Sequence, residues 1–407
     1  MHFRSRRILL SCLACWFFPA SFASGEEPRE QVRLLSIHGQ AYVTTLSAWS
    51  REKWEIEQPD PQEIPTEQVA AVDWFLRPTS AVPRKPQVLL TNGDRISLSL
   101  ESWNEEALTG TGLVSEPAEM RVPLEFVRGV ILQPLSDLRE LAREMERIEG
   151  HAPGNDLAVL SNGDQILGQI LRLEKGTFQF ERESANVALE AGQIRSLSLN
   201  PELGVTPPDP EGEFAIITLT DGSQLTLSGW ERNGERITGS WLSSIAVELP
   251  ESAVAGIRPR GARVQSLSEL TAESYRFIPF LASASVAAKR NRNALGGPFV
   301  LEGRVIPRGW GLRSRSEMTF SLGGTSTGFL ARLGIDDCAG ERGSAVCRVL
   351  ADGKVLYASP AIRGGEPPVQ TPLIDLTGAR QLTIEIDYGD EADVLDYVDL
   401  TDALLIR

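Results

Sequence analysis

The sequence predicts a mainly β protein: a series of small barrel-like modules followed by a C-terminal β-sandwich of jelly-roll type. Two observations carry that expectation. A strand-turn-strand signal recurs through the first 260 residues, and each copy closes on a similar short apolar stretch. Beyond residue 298, six or more short alternating segments follow one another between glycine-rich turns.

The first residues are separate from both. Arg4, Arg6 and Arg7 precede an apolar run over 8–18, and small residues then surround Ser21-Phe22-Ala23. That order reads as a secretory signal peptide over 1–24, with acylation of Cys12 or Cys15 as the alternative. The expected location is exported: periplasmic, cell-surface or extracellular. No later stretch is apolar and long enough for a membrane helix. The net charge of −15 excludes the basic face that nucleic acid requires.

Four copies of the repeat follow. "VRLLSIHGQAYVTTL" begins at Val32, "VLLTNGDRISLSL" at Val88, "AVLSNGDQILGQI" at Ala158 and "IITLTDGSQLTLSG" at Ile216, with the turn glycine at Gly39, Gly93, Gly163 and Gly222. Asn-Gly and Asp-Gly predict type I′ hairpins. Each copy ends 25 to 29 residues past its glycine, at 64–72, 122–130, 189–197 and 249–257. Trp49, Trp103, Leu173 and Trp230 sit between turn and ending, as buried anchors or, alternatively, as sugar-stacking platforms. The units bear a faint resemblance to SH3-like or Sm-like barrels. They are expected at 30–80, 86–134, 155–200 and 213–260, as a stalk or an interaction array. A helical linker is expected over 135–152, where Leu138, Leu141, Met145 and Ile148 keep helical spacing. A Pro-rich linker is expected over 201–212 and a tether over 261–297.

The last segment, 298–407, alternates in "EMTFSLGG", "GFLARLGID", "SAVCRVLADGKVLYAS", "RQLTIEIDYG" and "YVDLTDALLIR". Its ordered features are Gly309 and Gly311, Leu322-Gly323-Gly324, Gly334-Ile335-Asp336-Asp337, Gly343-Ser344, Asp352-Gly353 and Asp396-Tyr397-Val398-Asp399. In that order they resemble the NPCBM domain, the carbohydrate-binding module first noted in glycosyl hydrolase family 98 proteins. The resemblance implies a β-sandwich, glycan binding and, in several relatives, a structural calcium. Arg313 replaces the family's His, Cys347 its central-strand Phe and Leu400 its terminal Trp. The expected glycan contacts are Trp310, Arg313, Asp396, Tyr397 and Asp399.

Asp336 and Asp337 are poorly arranged for hydrolysis, because neighbours on a strand point to opposite faces. They read as turn-organising acids. Between Glu385 and Asp402 lie eight acids with no Lys or Arg. That stretch is either a solvated acidic face or a calcium loop, with Asp387, Asp390 and Asp393 as ligands. After the signal peptide only Cys338 and Cys347 remain, and an oxidising compartment predicts a disulfide between them. The expected function is that of an exported, non-catalytic protein whose sandwich binds a glycan, with envelope proteins as further partners. The alternative is a structural or protein-interaction role in which the sandwich no longer binds sugar.

Overall fold

The computed structural model describes residues 30–112, 119–183, 185–208, 210–280, 286–390 and 392–407. The expected signal peptide lies outside them. Each of the four modules (31–74, 87–131, 156–198 and 214–260) has five strands, with a 3-10 turn before the fifth. The fifth strand returns beside the first, as in Val130↔Val88 and Ile217↔Ile257, which is the five-stranded order of an SH3-like barrel.

The repeated glycine makes a different turn from the one its dipeptide suggests. Gly39, Gly93, Gly163 and Gly222 all have positive φ, but the residues before them do not. In the second module Gly93 N donates to Leu90 O and Leu90 N donates to Asp94 O, and the other three modules repeat this pair of bonds. This is a three-residue loop closing on a left-handed glycine, not a type I′ turn. The Asn or Asp contributes a side-chain acceptor instead: Asn92, Asn162 and Asp221 each receive the backbone N–H two residues on. Among the Asn-Gly and Asp-Gly pairs of the described residues, only Asp352-Gly353 has positive φ at both positions, as type I′ demands.

The anchors are core residues. Trp103, Leu173 and Trp230 are buried, and Trp49 stacks on Trp54 at 4.9 Å and meets Trp230 of the fourth module at 6.4 Å. Trp103 meets Phe178 of the third module at 5.9 Å. Packing therefore joins the first module to the fourth and the second to the third. Strand pairs Gly256↔Asp73, Gln224↔Arg95 and Gly129↔Ser198 tie all four into one network, so the repeats form a block rather than a stalk. The helix Leu138–Glu149 starts at Asp137, whose carboxylate accepts from Glu140 N, and it buries Leu141, Met145 and Ile148 against Leu89 and Ile131.

The sandwich begins earlier than its alternating pattern suggests. Val264–Ser266 and Lys289–Arg290 belong to its first sheet and Ser274–Phe277 to its second, so much of the expected tether is part of the domain. The core between the sheets holds Phe320, Phe329, Leu333, Ile384 and Leu400. The outer face of the first sheet is also covered. Leu330, Leu404 and Ile406 pack there against Leu35, Ile37, Ala70 and Ala71 of the first module. For that reason the strand Tyr397–Ile406 is buried almost throughout instead of alternating. Among the described residues, no helix is long and apolar enough to cross a membrane.

Candidate functional site

Along Tyr397–Ile406, Val398 and Leu400, and after a register shift Ala403 and Leu405, face the sandwich core; Asp399 and Asp402, the latter at the shift with positive φ, lie on the sheet's other face. Both acids are buried. Asp402 reaches the fully buried Arg258 at 3.2 Å, and Arg258 holds Asp73 by two bonds of 2.6 and 3.2 Å. Burial raises the Asp73 pKa, but Arg258 and then Arg332 outweigh it and hold the group below the usual carboxylate range.

Asp336 and Asp337 organise the adjoining turn. Asp336 accepts from Cys338 N and Val300 N, and Asp337 from Glu302 N and Gly303 N, so the two fix the hairpin Phe299–Leu301/Arg304–Ile306 on the sheet. Asp399 has no donor for either oxygen. Burial first, and then Asp336 beside it, push its pKa well above the ordinary value. Both effects favour its protonated form, in which the carboxyl is able to donate to Asp336.

Of the expected glycan contacts, the structure leaves Arg313 and Tyr397 within reach of solvent. They pair across neighbouring strands, with the guanidinium 4.9 Å from the centre of the tyrosine ring. Trp310 is 8% exposed and packs on Phe320, so it is a core residue and not a stacking surface. Asp396 is buried, accepting from Ser344 N and the Ser314 hydroxyl at the corner where the chain changes sheets. Asp399 is fully buried beside Asp336 and Asp337. These three placements overturn the expectation of direct sugar contact, because the residues are spent on packing and closure.

The expected calcium ligands are not brought together. Asp387 pairs with Arg348 at 2.9 Å and Asp390 with Arg363 at 2.8 Å, while Asp393 accepts from Phe280 N. Among the described residues, which omit Glu391, no group of three acids could hold a metal ion. The expected disulfide is absent too: Cys338 and Cys347 are both buried and unbridged. Cys338 sits in the turn at Asp336, whereas Cys347 faces the sandwich core in the strand Ser344–Ala351. Burial pushes the Cys347 thiol up to about 12, so it stays protonated.

What gathers at the solvent-facing rim is a different set. Phe280, 54% exposed, meets Tyr388 edge to face at 5.6 Å, and Tyr388 is held by its hydroxyl on Ile278 O. Arg315 adjoins them, with its backbone O accepting from Ile278 N and its guanidinium near Glu385 and Asp387. The tether reading concealed Phe280. The available signal was the alternation of Tyr275 and Phe277 just before it, which marks an edge strand.

Comparison with known proteins agrees with the boundary at 264. Residues 264–406 match the NPCBM/NEW2 domain family, and the match starts at the first sandwich strand. The C-terminal part of the chain is an NPCBM/NEW2 domain. A protein of Renibacterium salmoninarum named "Putative endo-alpha-N-acetylgalactosaminidase" is 36% identical over 91 residues, 22% of this chain and 6% of that relative's length. Similar solved structures include a CBM51 module from Clostridium perfringens GH95 in complex with methyl-galactose (19% identity, TM-score 0.32, covering 35% of this chain and 99% of that one). Another is the CBM51-2 and INT domains of Clostridium perfringens ZmpB in complex with GlcNAc (18%, 0.32, covering 44% and 38%).

Proposed function

We propose that the chain is an exported, non-catalytic glycan-binding protein whose NPCBM/NEW2 domain meets sugar at its loop rim. The observation that carries this reading is the exposed Phe280 braced on Tyr388 beside Arg315. An aromatic face and adjacent charged donors are what a pyranose ring with its hydroxyls requires. Arg313 and Tyr397 form a second patch, although the guanidinium already covers one face of that ring. Export rests on the basic, apolar and small-residue order of 1–24. The repeat block serves as the platform that covers the domain's other sheet.

The test is retention of the full chain on a glycan array that includes terminal galactose and N-acetylgalactosamine. Isolated residues 264–406 would expose Leu330, Leu404 and Ile406 and are a poorer probe. Phe280→Ala, at an exposed position, is expected to weaken retention by about tenfold, the loss of a stacking contact near 1.4 kcal/mol. Undiminished retention in Phe280→Ala and Tyr397→Ala alike would sink the rim as the site. A blank array from folded protein would favour a structural or protein-interaction role, which the burial of Trp310, Asp396 and Asp399 also supports.

A further inference from the structure

A cavity of about 310 Å³ opens where the second module, the helix Leu138–Glu149 and the segment 290–308 of the NPCBM/NEW2 domain meet. Its walls carry four arginines: Arg95, Arg290, Arg292 and Arg308. Arg95 is 5% exposed. Its Nε donates to Gly222 O, but its Nη2 is buried with no partner. Gln224, which pairs with Arg95 across the strands of the second and fourth modules, is equally buried, and its Nε2 also lacks an acceptor. Two adjacent buried donors, one of them cationic, are therefore left without acceptors.

The acids nearby do not supply them. Glu149 is held by Arg292. Asp94 spends both oxygens on Thr226 and on Trp241 Nε1. Asp221 acts on Arg95 through space, yet it gives one oxygen to Ser223 N and makes no ion pair with Arg95. Arg308 has only a loose contact of 3.8 Å to Glu269, and Arg290, exposed at the edge, pairs with no carboxylate among the described residues. A buried guanidinium with like-charged neighbours costs folding free energy unless something negative satisfies it.

We propose that this cavity binds a small oxyanion of sulfate or phosphate chemistry, free or carried on a saccharide, held by Arg95 Nη2 and Gln224 Nε2 with Arg290 at its edge. Planar guanidinium and amide donors suit tetrahedral oxyanions. The cavity lies against the first sheet's side of the domain, away from the aromatic rim, so the proposal stands whether or not the rim binds sugar. Burial and Arg292 pull the Arg95 pKa down to about 9, which still leaves it charged at neutral pH.

The test is calorimetric titration of the full chain with inorganic sulfate, inorganic phosphate, galactose 6-sulfate and galactose, in chloride buffer of matched ionic strength. Saturable heat is expected with the anions and none from this cavity with galactose. Arg95→Gln is expected to weaken anion binding at least about tenfold, the loss of one charge-assisted hydrogen bond. In anion-free buffer it should melt at or above the parent, because the unpaired cation is gone. Should Arg95→Gln not fold, Arg290→Ala at its exposed position carries the test with an expected severalfold weakening. Tighter binding of galactose 6-sulfate than of sulfate assigns the anion to a saccharide, and equal binding assigns it to a free ion. No saturable heat from either inorganic anion or the sulfated sugar overturns the proposal, as does heat unchanged by both substitutions.

Discussion

Asp402 and Asp390 belong to the same acidic stretch, and the domain uses them in opposite ways. Asp402 is buried at the junction with the repeat block, where it shares the fully buried Arg258 with Asp73. Asp390 stands at the rim, well exposed, against an Arg363 that is also open to solvent. Residue type and local charge density are alike. What separates them is position: Asp402 lies in a first-sheet strand on the face that the repeat block covers, whereas Asp390 follows the second-sheet strand Gln381–Tyr388 in a loop open to solvent. An ion pair in water contributes little, because solvent screens it and both side chains lose freedom, whereas a buried charge is tolerable only while its partner remains. The junction is therefore where the fold is brittle and the rim is where it is permissive, as a surface open to ligand must be.

Breaking the junction should have the largest effect. Arg258→Ala leaves Asp73 and Asp402 buried without their cation, and a loss of about 3–5 kcal/mol is expected in denaturant unfolding of the full chain. A loss below 1 kcal/mol would place Arg258 among ordinary surface charges. The parent should also show the linkage. Asp73 titrates below its unfolded value of about 4, so its stabilising contribution is complete above pH 4 and is lost as the pH falls through the lower, folded pKa. Trp310→Ala tests the same contrast inside the sandwich. As a core ring on Phe320 it should cost about 3 kcal/mol or more, and any loss of glycan retention in that variant reports unfolding and not a lost contact.

The sequence made the repeats legible because each carries the same glycine turn and the same closing strand, and both signals are local. The sandwich was legible from alternation and from its ordered resemblance to a known domain. The partnership between the two halves was less visible, since the contacts that make it, such as Arg258 with Asp402, join residues far apart in the chain. One signal did exist: "ALLI" at 403–406 abandons alternation, as a strand covered on both faces must. The functional residues suffered from the same blindness. Trp310, Asp396 and Asp399 have the chemistry of a sugar site, but their burial depends on neighbours that other strands and turns of the domain supply, such as Phe320, Ser344 and Asp336. The disulfide failed because nearness in sequence says nothing of which side of a sandwich each sulfur faces.

Two gentler substitutions sharpen the contrast. Asp399→Asn removes a carboxyl whose pKa burial and Asp336 raise, while keeping a group able to donate to Asp336. Its sign is opposite to that of Asp73. A carboxyl whose folded pKa is raised destabilises as the pH climbs above the unfolded value, so the variant should gain on the parent by about 1 kcal/mol at neutral pH, the low end of the cost of an unsatisfied buried group. The gain should vanish below about pH 4, where the acid is protonated in both states. A variant less stable than the parent at pH 7 would mean that Asp399 is ionised and partnered.

Arg363→Ala at the rim should change stability least, by about 0–1 kcal/mol, because Arg363 and Asp390 are both open to solvent and salt screens what attraction remains. Denaturant unfolding at low and high salt separates the possible outcomes. A small loss that disappears in high salt is the behaviour of a screened surface pair. A salt-independent loss comparable to that of Arg258→Ala would instead mean that the rim is packed as tightly as the junction, and the loops would then be too constrained to accept a sugar ring beside Phe280.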